Sequence, residues 1–268
     1  LSAFAGVISA FVDNVATVLM IAPVAVMIAK KLKISPVAPI IAIAVASNLQ
    51  GAATLVGDTT SILLGGYAGM NFLDFFFMDG KPGLFWIVEV GAVASTLVLL
   101  FIFRKNREKV ESTGRTKVTD YFPSFLMIAT LVLLIAASFF PNRPKLTNGI
   151  ICTGVFVVGI IRELISGKHA GRVMTAFREL DIQTLVLLIG LFVVIEGITE
   201  AGVIDAIADL FVKISGDSLF LAYTLIVWVS VLFSAFIDNI PYVATMLPVV
   251  TGIAGSMGVN PTVLYFGL

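Results

Sequence analysis

Two short runs carry most of the chemistry this sequence offers. Ser9-Ala10-Phe11-Val12-Asp13-Asn14-Val15 sits in an otherwise apolar stretch, and Ser234-Ala235-Phe236-Ile237-Asp238-Asn239-Ile240 repeats it 225 residues later. The register holds past the motif, with Pro23-Val24 matching Pro248-Val249, Ile28-Ala29 matching Ile253-Ala254, and Pro36 matching Pro261. Solenoid repeats recur every 20–50 residues or so, so this spacing marks an internal duplication. Ionisable groups inside apolar runs are costly and by default mark function. An aspartate there can take a proton on one side of a membrane and release it on the other. The neighbouring Asn14 and Asn239 supply neutral oxygens that suit a hard cation. The structural alternative is plain: a carboxylate can cap the positive end of a broken helix, and an Asn can tie the backbone of a tight tip.

A third polar island, Gly57-Asp58-Thr59-Thr60-Ser61, interrupts the long apolar stretch 36–71, and a fourth, Ser47-Asn48-Leu49-Gln50-Gly51, precedes it. Small and polar residues at such points can break a helix and expose backbone groups. Asp58 at the break reads as lining a site. Ser47 and Asn48 either line it or hydrogen-bond between helices. Glu89 and Glu196 fall near span ends, where interfacial solvation accounts for them. Phe72, Phe75, Phe76 and Phe77 beside Asp74 read as an interface anchor or a packing stripe.

The elements that must position these groups follow from composition. The chain is 59% hydrophobic and only 13% charged, where a soluble domain carries about 25% charge; its mean hydropathy is +1.06. Several apolar runs reach the roughly 20 residues needed to cross a bilayer. With no alternating strand pattern, the expected fold is an all-α polytopic membrane protein, integral and multi-pass, in the plasma membrane of a bacterium or archaeon. The partners expected are the lipid bilayer and a small ion or anion. Net charge is zero, and no basic tract suggests nucleic acid. The lone Cys152 reads as packing, and the lone His169 as a loop residue. No organic cofactor is expected; a coupling proton or sodium ion is.

In order, residues 1–29 are either one span with Asp13-Asn14 at mid-depth or a re-entrant hairpin with the pair at its tip. Residues 36–71 form a broken helix, 72–83 an external loop, 84–103 a span and 104–122 a basic loop. Spans at 123–140, 148–166 and 184–202 follow. At 203–216, apolar residues alternate with Asp205, Asp209 and Lys213 at helical spacing, which predicts an amphipathic interfacial helix. Residues 218–256 hold the second Asp-Asn pair, where Pro241 favours an unwound point or tip. Residues 260–268 begin another broken helix. Residues 1–103 and 123–268 thus read as two repeats, the second truncated. Because the chain begins and ends inside apolar segments, a longer protein is expected. Thirteen of the 17 Lys and Arg fall in the loops at 30–33, 104–117 and 162–178, which places those loops in the cytoplasm. The two hairpins then enter from opposite faces. Inverted repeats with broken helices at the midplane are the signature of a secondary transporter.

These motifs, with Ala46-Ser47-Asn48 and Gly51-Ala52-Ala53-Thr54-Leu55-Val56-Gly57-Asp58, resemble the ion transporter superfamily over nearly the whole chain. The nearest branches are arsenite permeases, sodium/proton antiporters of the NhaD type and the melanosomal P protein; divalent anion/sodium symporters that carry citrate and succinate are more distant. The resemblance implies two re-entrant hairpins and two broken helices meeting at a central site, in a homodimer working by an elevator movement. It implies ion or substrate binding at Asp13, Asn14, Ser47, Asn48, Gly57, Asp58, Thr59, Asp238 and Asn239, with sodium at Asp13, Asn14, Gly57, Asp238 and Asn239. In the dicarboxylate branch the tips read Ser-Asn-Thr. Here an Asp stands for the Ser and an aliphatic residue for the Thr at both tips. The loop that usually reads Gly-Asp-Pro-Pro-Asn is Gly57-Asp58-Thr59-Thr60-Ser61. Paired carboxylates repel a dianion, so the expected activity is proton-coupled efflux of sodium or arsenite by alternating access, with sodium-coupled carboxylate symport as the alternative. The hairpin-bearing part would move against the 84–103 and 123–166 spans. An intramembrane aspartyl enzyme is remote, because its two aspartates would not need matching contexts. A channel would use the same site without alternating. No phosphate-binding loop points to a primary pump.

Overall fold

The computed structural model describes residues 1–32, 34–104, 120–140, 144, 146–165, 178, 182–216 and 218–268. Most of the basic loop at 104–117, much of the turn at 141–145 and His169 lie outside these. The described residues fall into two compact units. One holds 1–62 and the described part of 70–173; the other holds 63–69 and the described part of 174–268.

The first unit opens with α1 (Ser2–Ser9) and α2 (Asn14–Leu32), separated by four residues. α1 folds back along α2: Ala5 shares a buried cluster with Ile21 and Ala25, and residues 1–2 share a cavity wall with Ala25, Ile28 and Ala29. Of the two expectations for 1–29, the hairpin is the one found, with Asp13 at its tip. α3 (Val37–Gly51) lies against both helices and α5 (Leu84–Ile102). Its Ile43 joins the cluster of Ala5, Ile21 and Ala25. The buried positions of these helices are mostly small: Ala5, Ala25, Ala29 and Ala42 are at most 5% exposed, while Leu19, Met20, Val45 and Leu97 face outward. In a bilayer the lipid tails are as apolar as any core, so helices associate through close van der Waals approach of small residues. Large outward-facing apolar side chains are what such a chain shows to lipid.

After α3 the chain leaves the helix over 52–58 and resumes as α4 (Thr59–Ala68). The break therefore comes earlier than the 57–61 expected, because Asp58 caps a new helix and Thr59–Ser61 are already inside it. Ala53 of the break packs with Ala10 of the hairpin tip and Val88 of α5. The loop after α4 is more ordered than expected. A 3₁₀ turn at Leu73–Phe75 leads into a two-residue hairpin, β1 (Phe77–Met78) and β2 (Lys81–Pro82). Its turn residues Asp79 and Gly80 both have positive φ, 51° and 75°, the backbone a two-residue hairpin turn needs. Phe75 is fully buried and Phe77 mostly exposed. Phe72, Phe76, Phe85 and Trp86 form a run of ring contacts at 4.6–5.6 Å, and Trp86 Nε1 donates to the Phe76 carbonyl at 3.1 Å. Rings with one polar handle suit a membrane interface.

α6 (Phe122–Ser138) and α7 (Thr147–Ile165) pack on each other. Arg162 reaches both carboxylate oxygens of Asp120 at 2.8 and 3.2 Å and lies 4.2 Å over the Phe122 ring. α7 buries none of its residues, and it is one of five helices among the described residues that are long and apolar enough to cross a membrane.

The second unit contains α8 (Ile182–Glu200), α9 (Val203–Ser215), α10 (Leu219–Ser234), α11 (Asn239–Met257) and the short α12 (Thr262–Tyr265). α9 is amphipathic as expected, with Ile204 and Ala208 buried and Asp205, Asp209 and Lys213 exposed. Its buried face meets α11, where a side chain at Gly252 would stand 3.1 Å from the Ala208 methyl. α10 and α11 form the second hairpin. Tyr242 stacks on Phe233 at 6.4 Å and donates to Ser230 Oγ at 2.9 Å, tying the two arms together. Both hydroxyls are buried. Tyr242→Phe leaves Ser230 without that donor and is expected to lower stability by about 1 kcal/mol, the scale of interhelical hydrogen bonds in membranes. Thermal unfolding in detergent, compared with wild type, measures it. Near α12, the Thr251 hydroxyl lies 2.7 Å from the Tyr265 hydroxyl and 3.5 Å from that of Tyr67.

Candidate functional site

Each Asp-Asn pair sits where a helix restarts. Asp13 Oδ2 accepts the backbone N–H groups of Val15 at 3.0 Å and Ala16 at 3.1 Å. Asp238 Oδ1 accepts only that of Ile240, at 3.0 Å. The residue matching Ala16 is Pro241, which has no N–H to give, and a proline is tolerated there because the first helical turn needs none. Asp58 completes the set: its Oδ1 accepts the Thr59 N–H at 2.7 Å and its Oδ2 the Thr60 hydroxyl at 3.1 Å. All three aspartates therefore cap helix N-termini, where the backbone supplies orphan donors and partial positive charge. The capping alternative drawn from sequence is what the geometry displays. It does not exhaust the carboxylates, since Asp13 and Asp238 are both exposed.

In the first unit the tip is joined by α3. Asn14 Nδ2 donates to Asn48 Oδ1 at 2.9 Å. The fully buried Ser47 hydroxyl lies 2.9 Å from Ser9 Oγ and 3.1 Å from the Asn14 carbonyl, and its one hydrogen serves either. Of the alternatives for Ser47 and Asn48, hydrogen bonding between helices is thus present, and Asn48 also lines an open cleft. Gly57 lies deepest. A Cβ there would stand 2.5 Å from the Gly51 carbonyl oxygen, 2.7 Å from that of Ser9 and 2.9 Å from that of Ala10. The hairpin tip and the broken helix cross at a separation that only glycine allows. Next to it, the Thr54 hydroxyl donates to the Ala10 carbonyl, and Gly51 faces both Asp58 and Asn14.

Asp13, Asn14, Ser47, Asn48, Gly57, Asp58 and Thr59 are therefore assembled around one crossing. Asp238 and Asn239 belong to the other unit, where the Ser234 hydroxyl donates to Asn239 Oδ1 at 2.6 Å. Ser234 matches Ser9 in the repeat. In the first copy that serine meets Ser47 of α3; in the second it turns onto its own tip. Sequence reasoning left Ser9, Gly51 and Thr54 out of the site. Ser9 could have been found, because it recurs as Ser234 within the repeated motif.

Beside the crossing, Asn14, Val15, Val18, Ala44, Val45 and Asn48 wall an open cleft of about 470 Å³ between α2 and α3. Its walls are apolar apart from the two carboxamides. Among the described residues no cluster of three His, Cys, Asp or Glu is placed to hold a metal. A cation at this crossing would be held by carboxamide, hydroxyl and backbone carbonyl oxygens with one or two carboxylates.

A helical hairpin with an acidic tip crossed by a broken helix, in a chain with five helices among the described residues long and apolar enough to cross a membrane, defines an all-α polytopic membrane protein. The chain belongs to the citrate transporter family, CitMHS, which it matches over residues 1–268. It is 33% identical over 257 residues to a 46 kDa membrane protein of Mycobacterium leprae, covering 93% of this chain and 57% of that one. It is 31% identical over 261 residues to an uncharacterized transporter of Mycobacterium tuberculosis, covering 95% of this chain and 58% of that one. The P protein of Homo sapiens is 23% identical over 324 residues, covering 93% of this chain and 39% of that one. The chain thus spans less than two thirds of the length of these relatives.

Proposed function

We propose that this chain forms the ion- and solute-binding part of an ion-coupled secondary permease working by alternating access. The observation that carries the reading is the crossing of the hairpin tip with the broken helix, which gathers Asp13, Asn14, Ser47, Asn48 and Asp58 beside a cleft of about 470 Å³, a volume typical of small-ligand sites. The family and the names of the relatives point to transport rather than catalysis. Within this class, proton-coupled efflux of sodium or arsenite is the activity favoured. The aspartates already occupy the helix N-termini, so an anionic solute finds those donors taken, whereas a cation or a neutral hydroxide does not. The charge distribution of the loops supports hairpins entering from opposite faces, and a homodimer is the assembly the resemblance implies.

A second reading is symport of a small organic anion. The family's description as citrate transporters favours it, and the Asn14–Asn48 carboxamides could receive a carboxylate if a cation travelled with it. The test uses the full-length protein in proteoliposomes loaded with a pH-sensitive dye, under an imposed proton gradient. Sodium, lithium, arsenite, succinate and citrate are added in turn. Proton movement driven by sodium or arsenite is expected. Uptake of succinate or citrate that ignores the proton gradient and follows sodium would replace the efflux reading with the second one.

A further inference from the structure

Glu89 reads from the sequence as a residue near a span end. It lies one and a half turns into α5, about 8 Å along the helix from its start, and lines a half-open cavity of about 240 Å³ beside α1, α3 and α5. Gly6, Ala46, Gln50, Ser95 and Thr96 are among the other walls. Among the described residues lining it, Glu89 is the only ionisable side chain. Gln50 is 8% exposed, and its Oε1 is buried without a hydrogen-bond partner. A buried acceptor left unpaired costs about 1–3 kcal/mol, a cost that a donor or a cation would relieve. Gly6 makes the arrangement possible, since a Cβ there would stand 3.0 Å from Gln50 Cγ.

We infer that this cavity is a second cation site, taking one small alkali cation with part of its water. An amide oxygen can only accept, so its partner is a donor or a cation. Gln50 lines the cavity, and rotation about its soft terminal torsion would exchange the buried Oε1 with Nε2 and turn the oxygen toward it. Glu89 supplies one negative charge, and Ser95 and Thr96, about 9–10 Å farther along α5, add hydroxyls to the rest of the cavity wall. A single carboxylate balances a monovalent ion; a divalent one would leave net charge inside the hydrocarbon, which is expensive. The volume exceeds what a bare proton bridge needs, since a water occupies about 30 Å³. The site lies on the far side of α3 from the Asn14–Asn48 cleft: Asn48 lines that cleft, whereas Leu49 and Gln50 line this cavity. It stands whether or not the tip binds an ion.

The test is equilibrium dialysis of the full-length protein in detergent against radioactive sodium, with choline as the balancing cation and potassium as competitor. Wild type is expected to bind sodium or potassium saturably. Glu89→Gln and Gln50→Met, which keep size and shape, are each expected to weaken one component at least about tenfold, as loss of a charged or charge-assisted contact does. Asp13→Asn is expected to leave that component intact, which separates this site from the tip. Each variant is checked for a wild-type elution profile, and two chemically different substitutions guard against a folding defect in one. Wild-type binding in both variants would mean the cavity holds water alone and would overturn the assignment. So would the absence of saturable alkali-cation binding, or a loss seen only in Asp13→Asn.

Discussion

Gly57→Ala is expected to prevent the protein from folding into a monodisperse particle, or to lower its melting temperature severely. The new methyl would lie 2.5–2.9 Å from three backbone oxygens, those of Gly51, Ser9 and Ala10. Backbone cannot swing aside as a side chain can. Overpacking a tight core costs about 1–3 kcal/mol, occasionally more, and three backbone contacts at once put this case at or above the upper end. Relieving them means moving the hairpin tip away from the break, which would also pull Asn14 from Asn48 and Ser9 from Ser47. Gly66→Ala is the control. It lies in the same broken helix with nothing within 4 Å of a new Cβ, and alanine favours a helix over glycine by about 1 kcal/mol. Size-exclusion profile and thermal unfolding in detergent read both. A Gly57→Ala protein as stable as wild type would mean that the tip and the break do not cross as described.

The second large effect separates the charge of Asp13 from its capping. Asparagine caps a helix about as well as aspartate, whereas alanine loses about 1 kcal/mol. Asp13→Asn is therefore expected to keep the melting temperature close to wild type, because its side-chain oxygen can still accept from Val15 and Ala16. Under the proposed function it loses ion-coupled flux by at least about tenfold, the scale of one charged interaction. Asp13→Ala is expected to lose both stability and flux. Asp238→Asn follows the same logic with one fewer capping bond. Flux and melting temperature measured on the same preparations decide the matter. Should Asp13→Asn transport as well as wild type, the aspartate is a cap and the coupling ion binds elsewhere.

Much of this was legible without coordinates because it rests on local chemistry. The polar islands stand out against hydrocarbon-length apolar runs, since each charge there is costly. The duplicated motif announced that two similar local structures exist, and α1–α2 and α10–α11 are both hairpins. The amphipathic pattern of 203–216 gave α9 with the right faces buried. What could not be read was how polar groups far apart in sequence satisfy one another. Asp13 could equally have been mid-span or at a tip; only the return of Ala5 onto Ile21 and Ala25 decides it. The position of the break in 36–71 depended on which residue caps the next helix, a choice among several polar candidates that packing settles.

Glu89 shows the limit most clearly. Its place near the start of an apolar run reads as solvation at the interface, and the cavity it lines is not visible in its neighbours in sequence. The cavity exists because α1, α3 and α5 converge with Gly6 at the contact, so that Gln50 is buried with an unpaired oxygen. By itself, the sequence determined a helical membrane protein with two acidic, broken-helix motifs, because hydropathy, charge and repetition act residue by residue. The tertiary structure alone decided that Gly57 is the crossing point, that Ser9 and Ser47 belong together, and that Glu89 faces a cavity. Those are facts about distance between remote segments, and distance is set by packing, not by the order of the chain.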